Sequence, residues 1–224
     1  MRILGIDPGL ASTGWGVIDH DGSRSVAVAS GTVTTAAGQP TARRLKTIHD
    51  GIAAVVARHR PAHAAVERLF FCTNVSTAMA VAEARGVAIL ATANAELEVF
   101  EYTPLQVKQA VTGSGKAAKA QVDHMVRALL GLGRLADAPK APAKGEGDGD
   151  GGTGADDPFP RTDHASDALA IALCHAHGHG FRTKAAAAAA QATAATAKTA
   201  ARPGGGQAMT EEIRAAWAAR RRRR

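Results

Sequence analysis

Three acidic residues, Asp7, Glu67 and Asp167, stand beside apolar segments of this 224-residue chain. Asp7 and Glu67 each close an apolar run, and Asp167 lies four residues after Asp163 in an otherwise apolar stretch. Burying an ionised carboxylate without a partner is costly, so such acids are usually paired, hydrogen-bonded or bound to a metal. No basic residue is spaced to neutralise all three, whereas a divalent cation could bind them together.

The composition is that of one globular domain with appendages. The chain is 46% hydrophobic, enough for one sizeable core. No apolar run approaches the roughly 20 residues of a membrane span, and no secretory signal opens the sequence, so we expect a cytoplasmic protein that enters no membrane. The two cysteines, Cys72 and Cys174, are too few for a disulfide framework and are expected to be buried thiols.

The net charge of +7 is concentrated at the C-terminus. Residues 181 to 224 carry ten Lys or Arg and two Glu, which predicts a disordered tail that attracts phosphates. A solubilising terminus without a specific partner is the alternative. Residues 136 to 162, rich in Gly, Asp, Ala and Pro, are expected to form a flexible acidic insertion. One domain is then expected over residues 1 to 180, with this insertion inside it.

The hydrophobic pattern predicts an α/β fold. A three-stranded meander comes first, and helices then alternate with two further strands, which is typical of a mixed five-stranded sheet with helices on both faces. Strands are predicted over residues 2–6, 13–19, 25–34, 62–66 and 98–102, and helices over 41–58, 75–93, 106–111 and 116–132, before a C-terminal helix. Asn74 or Thr73 is the predicted cap of the second helix.

Such a sheet could bring the acids together. If the first and fourth strands pair, Asp7 and Glu67 lie side by side, since neighbouring strands are about 5 Å apart. Residues 164 and 167 share one helix face and could close the cluster from above. Oxygen-rich ligands suit Mg²⁺ or Mn²⁺, and two such ions could stabilise the attacking and leaving oxygens of a phosphodiester.

Four ordered segments resemble the RuvC family of Holliday junction resolvases, in the ribonuclease H-like superfamily. They are ILGIDPGLASTGWGVID, VERLFFCTNVSTAMAVAEARGVAILA, EYTPLQVKQAVTGSGKAAKAQVDHMV and DHASDALAIALCHAH. The resemblance implies a ribonuclease H-like sheet and places Asp7, Glu67 and Asp167 on the acidic metal ligands. It places His164 on the fourth position, which is Asp in some members and His in others.

The fourth ligand has an alternative. Asp163 precedes His164 and could reach the cluster in its place, or it could cap the helix. We favour His164, whose imidazole could also orient or deprotonate the attacking water.

The same resemblance implies DNA contacts. Lys108 and Lys119 fall on positions that contact backbone phosphates, Arg85 and Lys116 would extend that basic surface, and Phe70 would stack on bases at the junction centre. Solvated lysines and a core phenylalanine are the ordinary alternatives.

The histidines near the end of the domain are a further motif. His175, His177 and His179 alternate as a metal-binding tract does, but their place at a helix end, where cations favour the macrodipole, argues against a second metal site.

These features together predict a Mg²⁺-dependent or Mn²⁺-dependent endonuclease that cuts four-way DNA junctions by paired symmetric nicks. Symmetric cutting implies a homodimer, predicted to pair through residues 75 to 90, where Met79, Val81, Val87 and Ile89 exceed the needs of one core face. The resemblance also implies cooperation with the branch-migration proteins RuvA and RuvB. Alternatives are a non-catalytic DNA-binding protein, which leaves the acids unexplained, and an actin-like ATPase or kinase, for which the core is too short.

Overall fold

A five-stranded mixed sheet forms the centre of the molecule. The computed structural model describes residues 1–68, 75–132 and 162–180. The strands are β1 (Arg2–Asp7), β2 (Ser12–His20), β3 (Ser25–Thr34), β4 (His63–Glu67) and β5 (Glu98–Tyr102), in the spatial order β3-β2-β1-β4-β5. Strands β1 to β3 form an antiparallel meander, and β4 pairs parallel to both β1 and β5. The predicted fold class and the pairing of the first and fourth strands are both confirmed.

Helices cover both faces of the sheet. They are α1 (Thr41–His59), α2 (Val75–Ala93), α3 (Pro104–Thr112), α4 (Lys119–Leu130) and α5, residues 163–180. Helix α3 begins at Pro104, where Thr103 and Gln106 form a capping box. The start of α4 is three residues later than predicted.

Alternation along the strands divides the core between the two faces. One layer joins the sheet to α1 and α2 and includes Leu4, Ile6, Val17, Ile48, Ile52, Ala84 and Ala88. The other joins it to α3, α4 and α5 and includes Ile3, Ile18, Ala65, Val107, Val126, Ile171 and Leu173. Helix α5 therefore belongs to the second layer, directly over β1 and β2.

Glycines in β1 and β2 let α5 approach the sheet backbone. A Cβ on Gly14 would lie 2.0 Å from the carbonyl oxygen of His164, and one on Gly5 would lie 2.0 Å from that of Ala168. Gly14 pairs with Asp7 across the two strands, and Gly5 pairs with Gly16. Any side chain at these positions would overlap the backbone of α5. The two glycines therefore determine how closely α5 packs against the strand that carries Asp7.

Several sequence predictions have other outcomes. Several predicted features lie outside the described residues: the tail, Cys72, Phe70 and the predicted caps of α2. The insertion also lies outside them, except for its last residue, Thr162. Cys174 is buried, as predicted. No helix within the described ranges is long and apolar enough to cross a membrane.

The predicted pairing helix requires a correction. Val87 and Ile89 of α2 pack against the core and are not surplus apolar groups. Met79 is exposed, as the prediction required, and the other large exposed apolar side chains of this helix are Val75 and Leu90. The pattern was ambiguous because α2 is apolar around most of its circumference, so sequence spacing alone does not mark which side faces inward.

Candidate active site

Two strand ends and one helix bring four predicted site residues together. Ile6 of β1 pairs with Val66 of β4 in parallel register, so Asp7 and Glu67 close neighbouring strands at the same edge of the sheet. Helix α5 crosses above that edge. His164 Nδ1 lies 2.8 Å from Asp7 Oδ2, and single ligand atoms of Asp7, His164 and Asp167 all lie within 4.8 Å of one another.

The carboxylates of this cluster repel one another. Burial, together with the charges of Asp7 and Asp167, raises the pKa of Glu67 to about 7. Burial also raises the pKa of Asp7, and the hydrogen bond from His164 opposes that rise. A raised pKa means that the charged form is disfavoured in this environment. A bound cation would remove this repulsion, so the site is electrostatically suited to one.

Asp163 and His164 occupy different positions. The Asp163 side chain is 82% exposed and lies 3.3 Å from Lys119 Nζ, whereas His164 contacts Asp7. Asp163 is not the helix cap either, because the hydroxyl of Thr162 accepts a hydrogen bond from the Ala165 amide at 3.2 Å. The geometry thus favours His164 over Asp163 as the partner of Asp7.

Two of the predicted DNA-contacting lysines border the cluster. Lys108 and Lys119 line a cavity of about 230 Å³ together with Glu67 and Asp167. Lys119 Nζ lies 3.1 Å from Asp167 Oδ2. Lys116 is exposed and does not line this cavity. The cavity therefore offers both carboxylates for a cation and ammonium groups for a phosphate.

Arg85 does not belong to this exposed basic group. Its Nε donates to the backbone carbonyl of Glu67 at 3.2 Å, and its guanidinium also binds the Glu101 carboxylate. Glu101 in turn accepts from Arg68 Nε at 3.2 Å. Only 19% of the Arg85 side chain is exposed. These contacts tie α2 to the end of β4 and make Arg85 a positioning group for Glu67.

Sequence reasoning missed two supports of the site. Ser166 Oγ donates to Asp123 Oδ1 at 2.6 Å and joins α5 to α4. The glycines beneath α5 are the other support. Their signal was present in the sequence, since Gly14 and Gly16 lie two residues apart in β2 and Gly5 lies two residues before Asp7 in β1.

The donor set fits a hard divalent cation. Asp7, Glu67 and Asp167 would supply oxygen ligands, which suit Mg²⁺ and Mn²⁺, and His164 would add one imidazole nitrogen. The raised pKa of Glu67 to about 7 is the expected sign of carboxylates assembled to bind positive charge.

A mixed sheet of this order, with carboxylates gathered where its first and fourth strands end, defines a metal-dependent nuclease of the ribonuclease H-like class. Within that class the chain belongs to the RuvC family. The family model described as "Crossover junction endodeoxyribonuclease RuvC" matches residues 3–143.

Individual relatives agree with this membership. The Rubrobacter xylanophilus crossover junction endodeoxyribonuclease RuvC is 56% identical over 130 residues, which cover 58% of this chain and 73% of the relative. The Pelotomaculum thermopropionicum protein of the same name is 48% identical over 143 residues, covering 64% and 84%. The structure of Thermus thermophilus RuvC in complex with a Holliday junction substrate superposes with a TM-score of 0.67 at 35% identity, covering 82% of this chain and 97% of that one.

Proposed function

We propose that this protein is a structure-selective endonuclease that resolves four-way DNA junctions in recombination and repair by paired, symmetric nicks. The observation that carries the proposal is the cluster of Asp7, His164 and Asp167, with Glu67 at the end of the neighbouring strand, in a chain of the RuvC family. A non-catalytic DNA-binding protein would have no need for half-buried carboxylates whose charges raise the pKa of Glu67.

Asp7, Glu67, His164 and Asp167 are the proposed metal ligands, and Mg²⁺ is the proposed physiological ion, with two ions per subunit and Mn²⁺ as a substitute. Divalent cations in such a site neutralise phosphate charge, activate water and stabilise a departing oxygen. Hydrolysis joins a water oxygen to phosphorus and breaks the bond from phosphorus to the 3′ oxygen. The products are a 5′ phosphate and a 3′ hydroxyl.

Side chains of the protein are proposed to position the attacking water and the phosphate. His164, held by Asp7 at 2.8 Å, is placed to orient the attacking water or to accept its proton. Lys108 and Lys119 are placed to hold oxygens of the cleaved phosphate, since both line the cavity beside Glu67. Lys116 extends the basic surface beyond the cavity, and Phe70 is proposed to stack on junction bases.

Symmetric cutting needs two active sites related by a two-fold axis, so we propose a homodimer. The exposed apolar side chains of α2, namely Val75, Met79 and Leu90, are the groups that such an interface would cover. Cooperation with RuvA and RuvB and a cytoplasmic location complete the proposal.

Cleavage of an end-labelled four-way junction tests the function. We expect paired nicks on opposite strands that require Mg²⁺ or Mn²⁺, stop with a chelator and do not occur in linear duplex. Asp7→Asn should reduce cleavage by at least about 1,000-fold, because one oxygen ligand loses its charge, while junction binding stays equal or tightens as phosphate repulsion falls. Tight binding without cleavage by the unaltered protein would favour a binding module, and cleavage retained by Asp7→Asn would refute the ligand assignment.

A further inference from the structure

Three histidines meet at the end of β4 opposite to Glu67. His63 begins β4, and His175 and His179 come from the last turns of α5, so residues 112 positions apart in the sequence lie in one cluster. One ring nitrogen from each histidine lies within 4.8 Å of the other two. The carboxylate cluster uses none of these side chains.

The cluster is compact and partly enclosed. His63 Nδ1 lies 2.9 Å from His175 Nε2, and His175 is fully buried. The three ring centres are separated by 5.1 Å, 4.9 Å and 5.3 Å. Metal–nitrogen bonds of about 2.0 Å at tetrahedral angles place imidazole centres about 5 Å apart, so the spacing matches a shared ion.

We propose that His63, His175 and His179 bind one borderline transition-metal ion, best matched by Zn²⁺, at a site separate from the carboxylate cluster. Three imidazoles suit Zn²⁺ and its neighbours Co²⁺ and Ni²⁺, whereas Mg²⁺ prefers oxygen ligands. The chemistry of the two clusters therefore separates the two classes of cation.

The outer contacts of the cluster fit metal-binding histidines. His175 Nδ1 lies 2.7 Å from Tyr102 Oη, so an Nδ1–H can donate to the phenol oxygen and leave Nε2 for the ion. His63 Nε2 lies 4.0 Å from Glu98 Oε2, beyond hydrogen-bond distance, and His63 Nδ1 is the atom that faces His175 Nε2. A carboxylate or oxygen acceptor behind each ligand is the usual arrangement at histidine metal sites.

Such an ion would join the end of α5 to the start of β4. Helix α5 carries His164 and Asp167, so the ion would hold the far end of the helix that places two of the proposed catalytic ligands. Its role would be structural, because three ligands from two elements of one chain restrain their separation.

The alternative is a hydrogen-bonded chain from Tyr102 through His175 to His63 without any ion. Zinc binding to the full-length, chelator-treated protein separates the two, measured by equilibrium dialysis and elemental analysis with excess Mg²⁺ to occupy the carboxylates. We expect one Zn²⁺ per chain, retained in Asp7→Asn, and a visible absorption spectrum of tetrahedral type when Co²⁺ replaces it.

Variants locate the ion. His179→Ala and His63→Gln should each weaken Zn²⁺ binding by at least about tenfold. His177→Ala is the matched control, because His177 lies on the same helix but bonds to the Ala110 carbonyl at 3.2 Å, and it should bind Zn²⁺ as the unaltered protein does. Unfolding midpoints measured without metal identify any variant that fails to fold. If the His63 variant fails, Zn²⁺ binding by His179→Ala tests the proposal, because His179 lies at the end of α5. The proposal would be overturned if the unaltered protein binds no Zn²⁺, or if Asp7→Asn loses Zn²⁺ binding. Equal Zn²⁺ binding by all histidine variants would overturn it as well.

Discussion

When no cation is bound, the Glu67 carboxylate is repelled by the charges of Asp7 and Asp167. Burial and the charges of Asp7 and Asp167 raise its pKa from 4.5 to about 7. A folded-state pKa above the unfolded value means that the folded protein holds the proton more tightly. The contribution to stability is therefore present below about pH 4.5 and is lost as the pH rises through about 7.

Replacing Glu67 by Gln should remove this pH dependence. In a chelator we expect Glu67→Gln to be more stable than the unaltered protein by about 3 kcal/mol at about pH 8, and close to it near pH 4.5. Urea unfolding at the two pH values measures the difference. Glu83→Gln, on the exposed surface of α2, is the control and should leave the profile unchanged. Parallel profiles for Glu67→Gln and the unaltered protein would contradict the pKa assignment.

At the scale of elements, the contact between α5 and the sheet decides where His164 lies. The backbone of α5 rests on Gly14 and Gly5, with no room for a Cβ at either position. Because Gly14 pairs with Asp7, a displacement there moves His164 relative to the carboxylate that it contacts.

Gly14→Ala should therefore impair cleavage more than junction binding. The added methyl group would force α5 away from the sheet at a cost of about 1–3 kcal/mol in unfolding free energy, and we expect at least a tenfold loss of cleavage rate. Gly180→Ala is a suitable control, because a Cβ there meets nothing within 4 Å. Equal cleavage by both variants would show that the height of α5 does not set the active-site geometry.

Arg85 links α2 to the end of β4, and its replacement tests whether this link positions Glu67. As a positioning group it should require the guanidinium fork, since it binds the Glu67 carbonyl and Glu101 together. We expect Arg85→Lys to lower the cleavage rate about tenfold in single-turnover reactions, with junction affinity and its salt dependence unchanged. Rescue of the rate by Lys, with a weaker salt dependence in Arg85→Gln, would instead identify Arg85 as a phosphate contact.

For the whole molecule, charge is distributed unevenly. Residues 181 to 224 carry ten Lys or Arg against two Glu, whereas residues 1 to 180 are close to neutral. Attraction to DNA of any sequence is therefore expected to come in large part from this basic segment, and the cavity at Lys108 and Lys119 to contribute contacts near the cut.

Removing residues 181 to 224 should weaken binding to both junction and duplex DNA and flatten the salt dependence. Each lost phosphate contact lowers the slope of log affinity against log salt by about 0.9. Binding titrations at several salt concentrations measure the slope, and a full-length variant with Gln at positions 220 to 224 separates charge from length. An unchanged slope would assign the segment to a purpose other than DNA binding.

Local patterns in the sequence determined the five strands, the order of helices and the two acids that close β1 and β4. These are properties of short segments: apolar alternation predicts a strand, and an acid after it lies at a strand end wherever the strand is placed. The same local reading singled out Asp167, the family resemblance added His164 as the fourth position, and the roles of all four as ligands stay a prediction.

The tertiary structure alone decided which side chains meet. In the folded chain, His164 rather than Asp163 contacts Asp7. Arg85 binds the Glu67 backbone carbonyl and the Glu101 carboxylate. The tertiary structure also separated His177 from the neighbouring histidines and joined those two to His63. The direction of a side chain depends on the packing of its element against distant parts of the chain, and no local pattern records that packing.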